Sequence, residues 1–448
     1  MSNPFRDVEP SGPPRVVIVG GGFGGLSAAR ALGGASVRVI LVDRSTHHVF
    51  QPLLYQVATA SLAPSDIASP IREAVRRQRN TLVAWREVTG VDADTRQVFF
   101  TALDGTTQWV RYEYLVLATG VEQSYFGHDE FRPFAPGLKS LTDATAVRDK
   151  LLGALEVAEL EPDPARHRDL LTFVLVGAGP TGVEMAGAIA EMMHGPLRRD
   201  FRRINTATAR IVLIEGAPRV LMSFDAGLAK RAHDRLVRMG VEIRTGVRVE
   251  TVDAEGVVVG GERIASRAVL WTAGVSPSPV AQWLKAETDR SGRVRVQPDL
   301  SVTGRPEVFV VGDVAYLEQA GHPLPGVAQV ALQQGRYAAR VIAARVAGDP
   351  SPPPFSYFDK GNMAVIGRSY AIVESGRVKL SGIVAWLAWA TIHLAFLPAR
   401  GNRILVFTQW VWSHLTHGQQ ARLVMERPPA DQTPGAEPAR GADGQDSR

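Results

Sequence analysis

Six glycines carry the most chemically informative spacing in the chain. Gly20, Gly22 and Gly25 follow one β-branched run, and Gly177, Gly179 and Gly182 follow another in mid-chain. Each set reads Gly-x-Gly-x-x-Gly and opens an alanine-rich segment of helical character, 26–30 in the first and 183–193 in the second. The first glycine of such a set permits a tight turn, the second lets the backbone approach a pyrophosphate, and the third lets the helix pack closely on its strand. The helix N-terminus then offers free N–H groups and a positive dipole end to the phosphates. A second apolar strand follows each helix and ends in an acid, Asp43 after 37–42 and Glu215 after 210–214. A carboxylate there accepts hydrogen bonds from an adenosine ribose and repels a 2′-phosphate, which favours FAD and NADH over NADPH. Arg219, close to Glu215, argues the other way. Two such sites in one polypeptide imply two dinucleotides held face to face, with electron transfer between them.

Positioning these residues takes two Rossmann-like dinucleotide-binding units of α/β class. The first begins near 15 and closes with the buried run 114–117 and the turn-prone Ala118, Thr119 and Gly120. The second begins near 172 and closes with the parallel phrase 268–271 followed by Thr272, Ala273 and Gly274. A later apolar strand, 308–311, ends in Gly312 and Asp313 and is expected to return to the first unit, so the middle unit reads as an insertion. The expected division is a flexible N-terminus at 1–14, a discontinuous FAD-binding domain at 15–165 and 291–350, an NADH-binding domain at 166–290, a C-terminal region at 351–425 and a disordered tail at 426–448. In two-dinucleotide flavoproteins, an aspartate placed like Asp313 holds the flavin ribityl chain.

The 448 residues leave room for two or three domains, and 45% hydrophobic with 21% charged residues is an ordinary globular composition. A net charge of +5 is too small to argue for nucleic acid but suits an anionic membrane surface. The chain has no cysteine, which excludes a redox-active disulfide, Cys-ligated zinc and iron–sulfur clusters. His47 and His48 adjoin each other, but no second pair at ligand spacing follows, so no metal site is expected; Tyr55 and Gln56 are placed near the flavin instead. The first residues lack an apolar core and read as neither a secretory signal nor a transit peptide. Arg198, Arg199, Arg202 and Arg203 are read as a solvated basic face, with contact to lipid phosphates as the alternative. The C-terminal region carries two apolar segments, 381–397 and 404–415, separated by Pro398, Arg400 and Arg403. Both fall short of the ~20 apolar residues of a spanning helix. Trp386, Trp389, Trp410 and Trp412 with flanking arginines suit a helical hairpin lying in the membrane interface. Burial of both helices in a core or a dimer interface is the competing reading.

From about 15 to 424 the chain resembles the type II (non-proton-pumping) NADH:quinone oxidoreductases. The resemblance rests on the two fingerprints in order, the segment 48–58, and Ala328, Gln329, Ala331 and Gln333, which match the family's AQxAxQ signature. It rests also on Lys379 to Gly382, Trp386, Trp389, His393, Asn402 and Arg403 of the tail. Membership implies non-covalent FAD, NADH as donor and a membrane quinone as acceptor, with the enzyme peripheral or monotopic on the cytoplasmic side of the cell membrane. It implies that Gln329 and Gln333 sit beside the isoalloxazine and the quinone ring, and that Glu184 lies near the nicotinamide–flavin contact. Lys379 is placed near the quinone tunnel, with a snorkelling lysine as the equal alternative. The expected FAD contacts are Gly20, Gly22, Phe23, Gly24, Gly25, Asp43, Arg44, Gln51, Thr119, Gly120, Gly312, Asp313, Ala328 and Gln329. Those to NADH are Gly177, Gly179, Pro180, Thr181, Gly182, Glu184, Glu215, Ala273 and Gly274. The chain departs from the family pattern in its Pro- and Gly-rich tail after Arg427.

Two alternatives stay open on the residues alone. One is a soluble NAD(P)H reductase of a small redox protein, which would not need the Trp-rich tail. The other is a flavin-bound protein whose redox state controls its assembly. A homodimer through the C-terminal helices is compatible with either.

Overall fold

In a computed structural model, residues 12–416 and 421–424 are described, apart from 103. The expectations for 1–11 and for 426–448 fall outside the described residues. Parallel strands covered on both faces must be apolar along their length. That is why Arg15–Val19, Arg38–Asp43 and Tyr114–Leu117 take the interior of one six-stranded sheet. The strand order runs Thr81–Trp85, Arg38–Asp43, Arg15–Val19, Tyr114–Leu117, Arg305–Val310, Ser301–Val302. Its five long strands are parallel, and Arg305–Val310 returns from late in the chain to pair with Tyr114–Leu117. A second parallel sheet runs Val241–Thr245, Arg210–Glu215, Thr172–Val176, Ala268–Trp271.

Each sheet carries an antiparallel three-stranded meander ahead of its closing strand. Glu87–Asp92, Gln97–Thr101 and Thr107–Arg111 form the first, and Val249–Asp253, Gly256–Val259 and Glu262–Ala265 the second. The two units are joined by an antiparallel pair of short strands, Val121–Gln123 with Val275–Pro277. Gln123 Nε2 bolts that joint by donating to the carbonyls of Ala273 at 2.6 Å and Gly274 at 2.7 Å.

The remainder of the chain closes over the second unit. Asn362–Val365, Ala371–Ser375 and Val378–Gly382 make a small antiparallel sheet. It approaches the helix Pro180–His194 so closely that a Cβ on Gly187 would lie 2.9 Å from the Gly367 nitrogen. Two helices follow, Ile383–Phe396 and Arg400–Thr416, broken at Pro398, which has no N–H to continue the first. The first starts two residues inside the expected segment, and the second reaches back to Arg400 rather than beginning at 404. Ala385, Trp389, Leu397 and Val406 join the hydrophobic cluster that holds Met185 and Ile189 of the second unit. Ile383, Val384, Leu387, Ile404, Leu405 and Phe407 are exposed. Among the described residues no helix is long and apolar enough to cross a membrane.

Candidate functional site

The two glycine loops are near-copies. Gly20 has φ +102° and Gly177 φ +105°, a left-handed conformation that L side chains rarely adopt. A Cβ on Gly20 would lie 2.3 Å from the Ala118 carbonyl oxygen, and one on Gly177 would lie 2.6 Å from the Ala273 nitrogen. At Gly25 and Gly182 a Cβ would come within 1.8 Å of the carbonyl of Gly20 and Gly177 respectively, so the helix starts only if the side chain is hydrogen. Gly22 and Gly179 differ: a Cβ there meets nothing within 4 Å. Each is the N-cap of its helix, Phe23–Ala31 or Pro180–His194, and neither helix has a side-chain cap. Free N–H groups therefore face open space beside a backbone without side chains, which fits a pyrophosphate in both places.

The strand-end acids hold these loops. Asp43 Oδ2 accepts from the Gly21 N–H at 2.5 Å and Oδ1 from the Ser45 N–H at 2.6 Å. Burial pushes the Asp43 pKa up, and the Gly21 and Ser45 bonds oppose that. Glu215 repeats the arrangement, accepting from the Ala178 N–H at 2.6 Å and the Ala217 N–H at 2.9 Å. Arg219 is turned away, its guanidinium donating to the carbonyls of Leu221 at 2.8 Å and Phe224 at 2.9 Å. His48, weighed from the sequence only as a metal ligand, is a loop-holding residue. A carbonyl only accepts, so the buried Nδ1 donates to the Gly21 oxygen at 3.0 Å. Burial lowers its pKa to about 4, leaving a neutral ring that packs edge-on against Phe23.

Around the first loop the predicted contacts converge. Gly312, at φ +76°, donates its N–H to the buried Gln334 Oε1 at 2.7 Å. Asp313 is raised by burial, with the charges of Lys139 and Arg293 opposing, and Lys139 is lowered by burial, with Asp313 opposing. Gln51 Nε2 donates to the Lys139 carbonyl at 3.3 Å. Thr119 Oγ1 hydrogen-bonds Ser278 Oγ across the two units at 2.5 Å, and Gly120 has φ +69°. Arg44 instead reaches the surface, paired with Glu122 at 3.0 Å. Helix Ala328–Ala347 begins without a side-chain cap and crosses Phe23–Ala31 where a Cβ on Gly335 would lie 2.1 Å from the Gly24 oxygen. Gln329 and Gln333, one turn apart, share a face of it. The Gln333 amide both donates to the Phe358 carbonyl and accepts from its N–H, each at 3.0 Å.

A cavity lies where the second unit, the segment near Tyr55 and the C-terminal hairpin meet. Glu184 and Glu191 enter it from helix Pro180–His194, Tyr55 and Gln56 from the first unit, and Trp389 and Trp410 from the hairpin. Trp410 Nε1 donates to Gln56 Oε1 at 2.8 Å, and Gln56 Nε2 donates to the Tyr55 hydroxyl at 2.8 Å. Burial pushes the Glu184 pKa up to about 8, against a single weak bond from the Val365 N–H at 3.3 Å. Tyr55 is raised well above its ordinary value, first by burial and then by the Glu184 charge. Glu191, not singled out in the sequence, is raised by burial and opposed by the Arg368 N–H and the charges of Arg368 and Arg235. Its signal was its place two turns after Glu184 on one helix face. Lys379 does not line this cavity: its Nζ pairs with Asp225 Oδ2 at 2.5 Å. No group able to hold a metal ion occurs among the described residues.

Comparison with known proteins adds three findings. Residues 14–335 match the family model of the pyridine nucleotide-disulphide oxidoreductases. Two proteins of Mycobacterium tuberculosis are similar along nearly their whole length. The type II NADH:quinone oxidoreductase Ndh is 46% identical over 91% of this chain and 90% of its own. The type II NADH:quinone oxidoreductase NdhA is 44% identical over 92% and 91%. The structure of NDH2 from Plasmodium falciparum in complex with NADH superposes with a TM-score of 0.83 at 17% identity, covering 92% of this chain and 100% of that one. The last likeness shows the α/β fold.

Proposed function

The chain belongs to the type II NADH:quinone oxidoreductase family, and on that footing we propose that it moves a hydride from NADH to non-covalently held FAD and two electrons onward to a membrane quinone, without pumping protons. The observation that carries this reading is the duplicated cradle, with its two uncapped helix starts and two loop-holding acids. When bound, the flavin supplies the two-electron exchange between nicotinamide and quinone. The chain supplies position and charge. Gly20, Gly22, Phe23, Gly24 and Gly25 seat one pyrophosphate, and Asp43 takes the adenosine ribose. Gln51, Lys139, Gly312 and Asp313 line the way to the ring, beside Thr119, Gly120 and Ala328. Gly177, Gly179, Pro180, Thr181 and Gly182 seat the NADH pyrophosphate, Glu215 its ribose, with Ala273 and Gly274 closing the loop.

Glu184 orients the nicotinamide side and carries its proton at neutral pH, since its pKa is about 8. The Gln329 amide is both donor and acceptor for a quinone carbonyl, and Gln333, pinned to Phe358, sets the helix face from which Gln329 reaches it. The exposed apolar side of the hairpin rests on the phospholipid surface, giving a peripheral or monotopic enzyme on the cytoplasmic side of the cell membrane. A homodimer through these helices would draw on the same side chains. The test is an anaerobic titration of the flavin absorbance. NADH should bleach it and a short-chain quinone should restore it; bleaching without recovery would point to a protein acceptor. Bleaching by NADPH alone would reverse the reading of Glu215.

A further inference from the structure

The helix Ala226–Arg238 of the second unit presents an open groove that the redox chemistry does not use. Arg231 and Arg238 stand two turns apart on its exposed side, and His233, Asp234, Val237 and Tyr370 complete the lining. Arg231 Nη1 donates to Ser381 Oγ at 2.7 Å, just ahead of Ile383 and Val384, each 60% exposed, where the apolar hairpin begins. On the opposite wall Tyr370 follows Ser369, whose hydroxyl hydrogen-bonds His414 Nε2 at 2.9 Å near the end of the second hairpin helix. Val411, Trp412 and Leu415 are exposed there. The groove is thus tied through Arg231 to the strand that leads into the hairpin, and the neighbour of Tyr370 contacts the end of its second helix. Its charge is cationic: the Asp234 carboxylate is taken up by Lys230 at 2.7 Å and His233 at 3.4 Å. Arg235 lies 5.5 Å over the Tyr370 ring, its buried Nε without a hydrogen-bond partner. Val237 gives the rim exposed apolar surface.

We propose that this groove binds the phosphate of an anionic phospholipid headgroup, held by Arg231 and Arg238 at the line where the hairpin enters the leaflet. Guanidinium forks match phosphate oxygens in a bidentate way, and their aliphatic stems lie comfortably against apolar surface. The apolar rim matches the glycerol and upper acyl chain of a lipid, which a free phosphate lacks. This rests on the membrane-surface reading above and extends it from a general affinity to a headgroup site outside the hairpin.

The experiment is co-sedimentation of the full-length holoenzyme with phosphatidylcholine vesicles, pure or mixed with phosphatidylglycerol, at fixed ionic strength. The double variant Arg231→Gln, Arg238→Gln should lose roughly fivefold in affinity per arginine for the anionic vesicles and nothing for the neutral ones. Its turnover of NADH with a soluble quinone should be unchanged, and Arg231→Lys with Arg238→Lys should keep only part of the preference, since an ammonium retains the charge but cannot fork. Equal loss on both vesicles, or no loss on the anionic ones, overturns the site. Binding of inorganic phosphate at these arginines by a parent protein that shows no preference for the anionic vesicles overturns the lipid as its ligand. If the unaltered protein binds neither vesicle, the membrane reading itself falls.

Discussion

At the scale of single residues, burial decides which groups carry protons. The Glu184 pKa rises from 4.5 to about 8 because its carboxyl is desolvated and the one backbone bond to it is weak. Between those values the folded chain keeps a proton that the unfolded chain has released. Its stability contribution is therefore intact below pH 4.5 and is lost as pH rises to about 8, at up to roughly 1.4 kcal/mol per unit. Glu184→Gln should remove that slope, matching the parent at acid pH and exceeding it at alkaline pH in urea midpoints. Its turnover with a soluble quinone should also lack an alkaline limb near pH 8 that the parent has. At the strand tip, Glu215→Gln removes the charge and leaves one acceptor oxygen where the carboxylate uses two, so only one of the Ala178 and Ala217 N–H bonds survives. The preference for NADH over NADPH in kcat/KM should fall by roughly tenfold, the worth of one charge-assisted contact. Arg219, tied to backbone carbonyls, is not free to replace that selectivity.

At the scale of elements, the loop glycines separate two jobs that the fingerprint merges. Gly25 exists for packing of helix on strand, and Gly22 for what approaches the helix start. Gly25→Ala should cost about 1–3 kcal/mol or more, because backbone must move away from a Cβ with no room. Gly22→Ala should melt like the parent as apoprotein, since its methyl meets only open space, yet retain less flavin after gel filtration. Equal losses of stability in both would refute the division. Further along, the contact of Gly24 with Gly335 brings the uncapped start of Ala328–Ala347 against the first cradle. Here two helix dipoles are directed by a pair of residues that have no side chains to keep them apart.

At the scale of the whole molecule, the C-terminal hairpin belongs to two environments at once. Trp389 is 2% exposed, stacked on His393 and part of the core shared with the second unit, whereas Trp412 is 53% exposed. Trp389→Ala should therefore destabilise the protein by about 3–5 kcal/mol. Trp412→Ala should change stability by less than about 0.5 kcal/mol while weakening vesicle binding. Thermal melts and co-sedimentation of the two variants decide it; a harmless Trp389→Ala would mean the hairpin is merely appended. One face of these helices is buried in the core, and the other is the exposed apolar face that we propose meets the membrane interface.

The chain on its own determined what is local and periodic. Glycine spacing, the β-branched runs before it, the acid at the next strand end and the Gln329–Gln333 signature are set within short windows, and they sufficed for the family and its chemistry. The absence of cysteine did the same for what is excluded. Tertiary structure alone decided which distant groups share a site. His48 meets Gly21, Gln334 meets Gly312, and Trp410 meets Gln56 across sequence gaps that no periodicity encodes. It also sent Lys379 to Asp225 instead of to the cavity. The physical reason is that a hydrogen bond or a desolvated charge depends on where several chain segments pack together, and that packing is set by burying apolar faces, not by the polar residues that happen to be carried along.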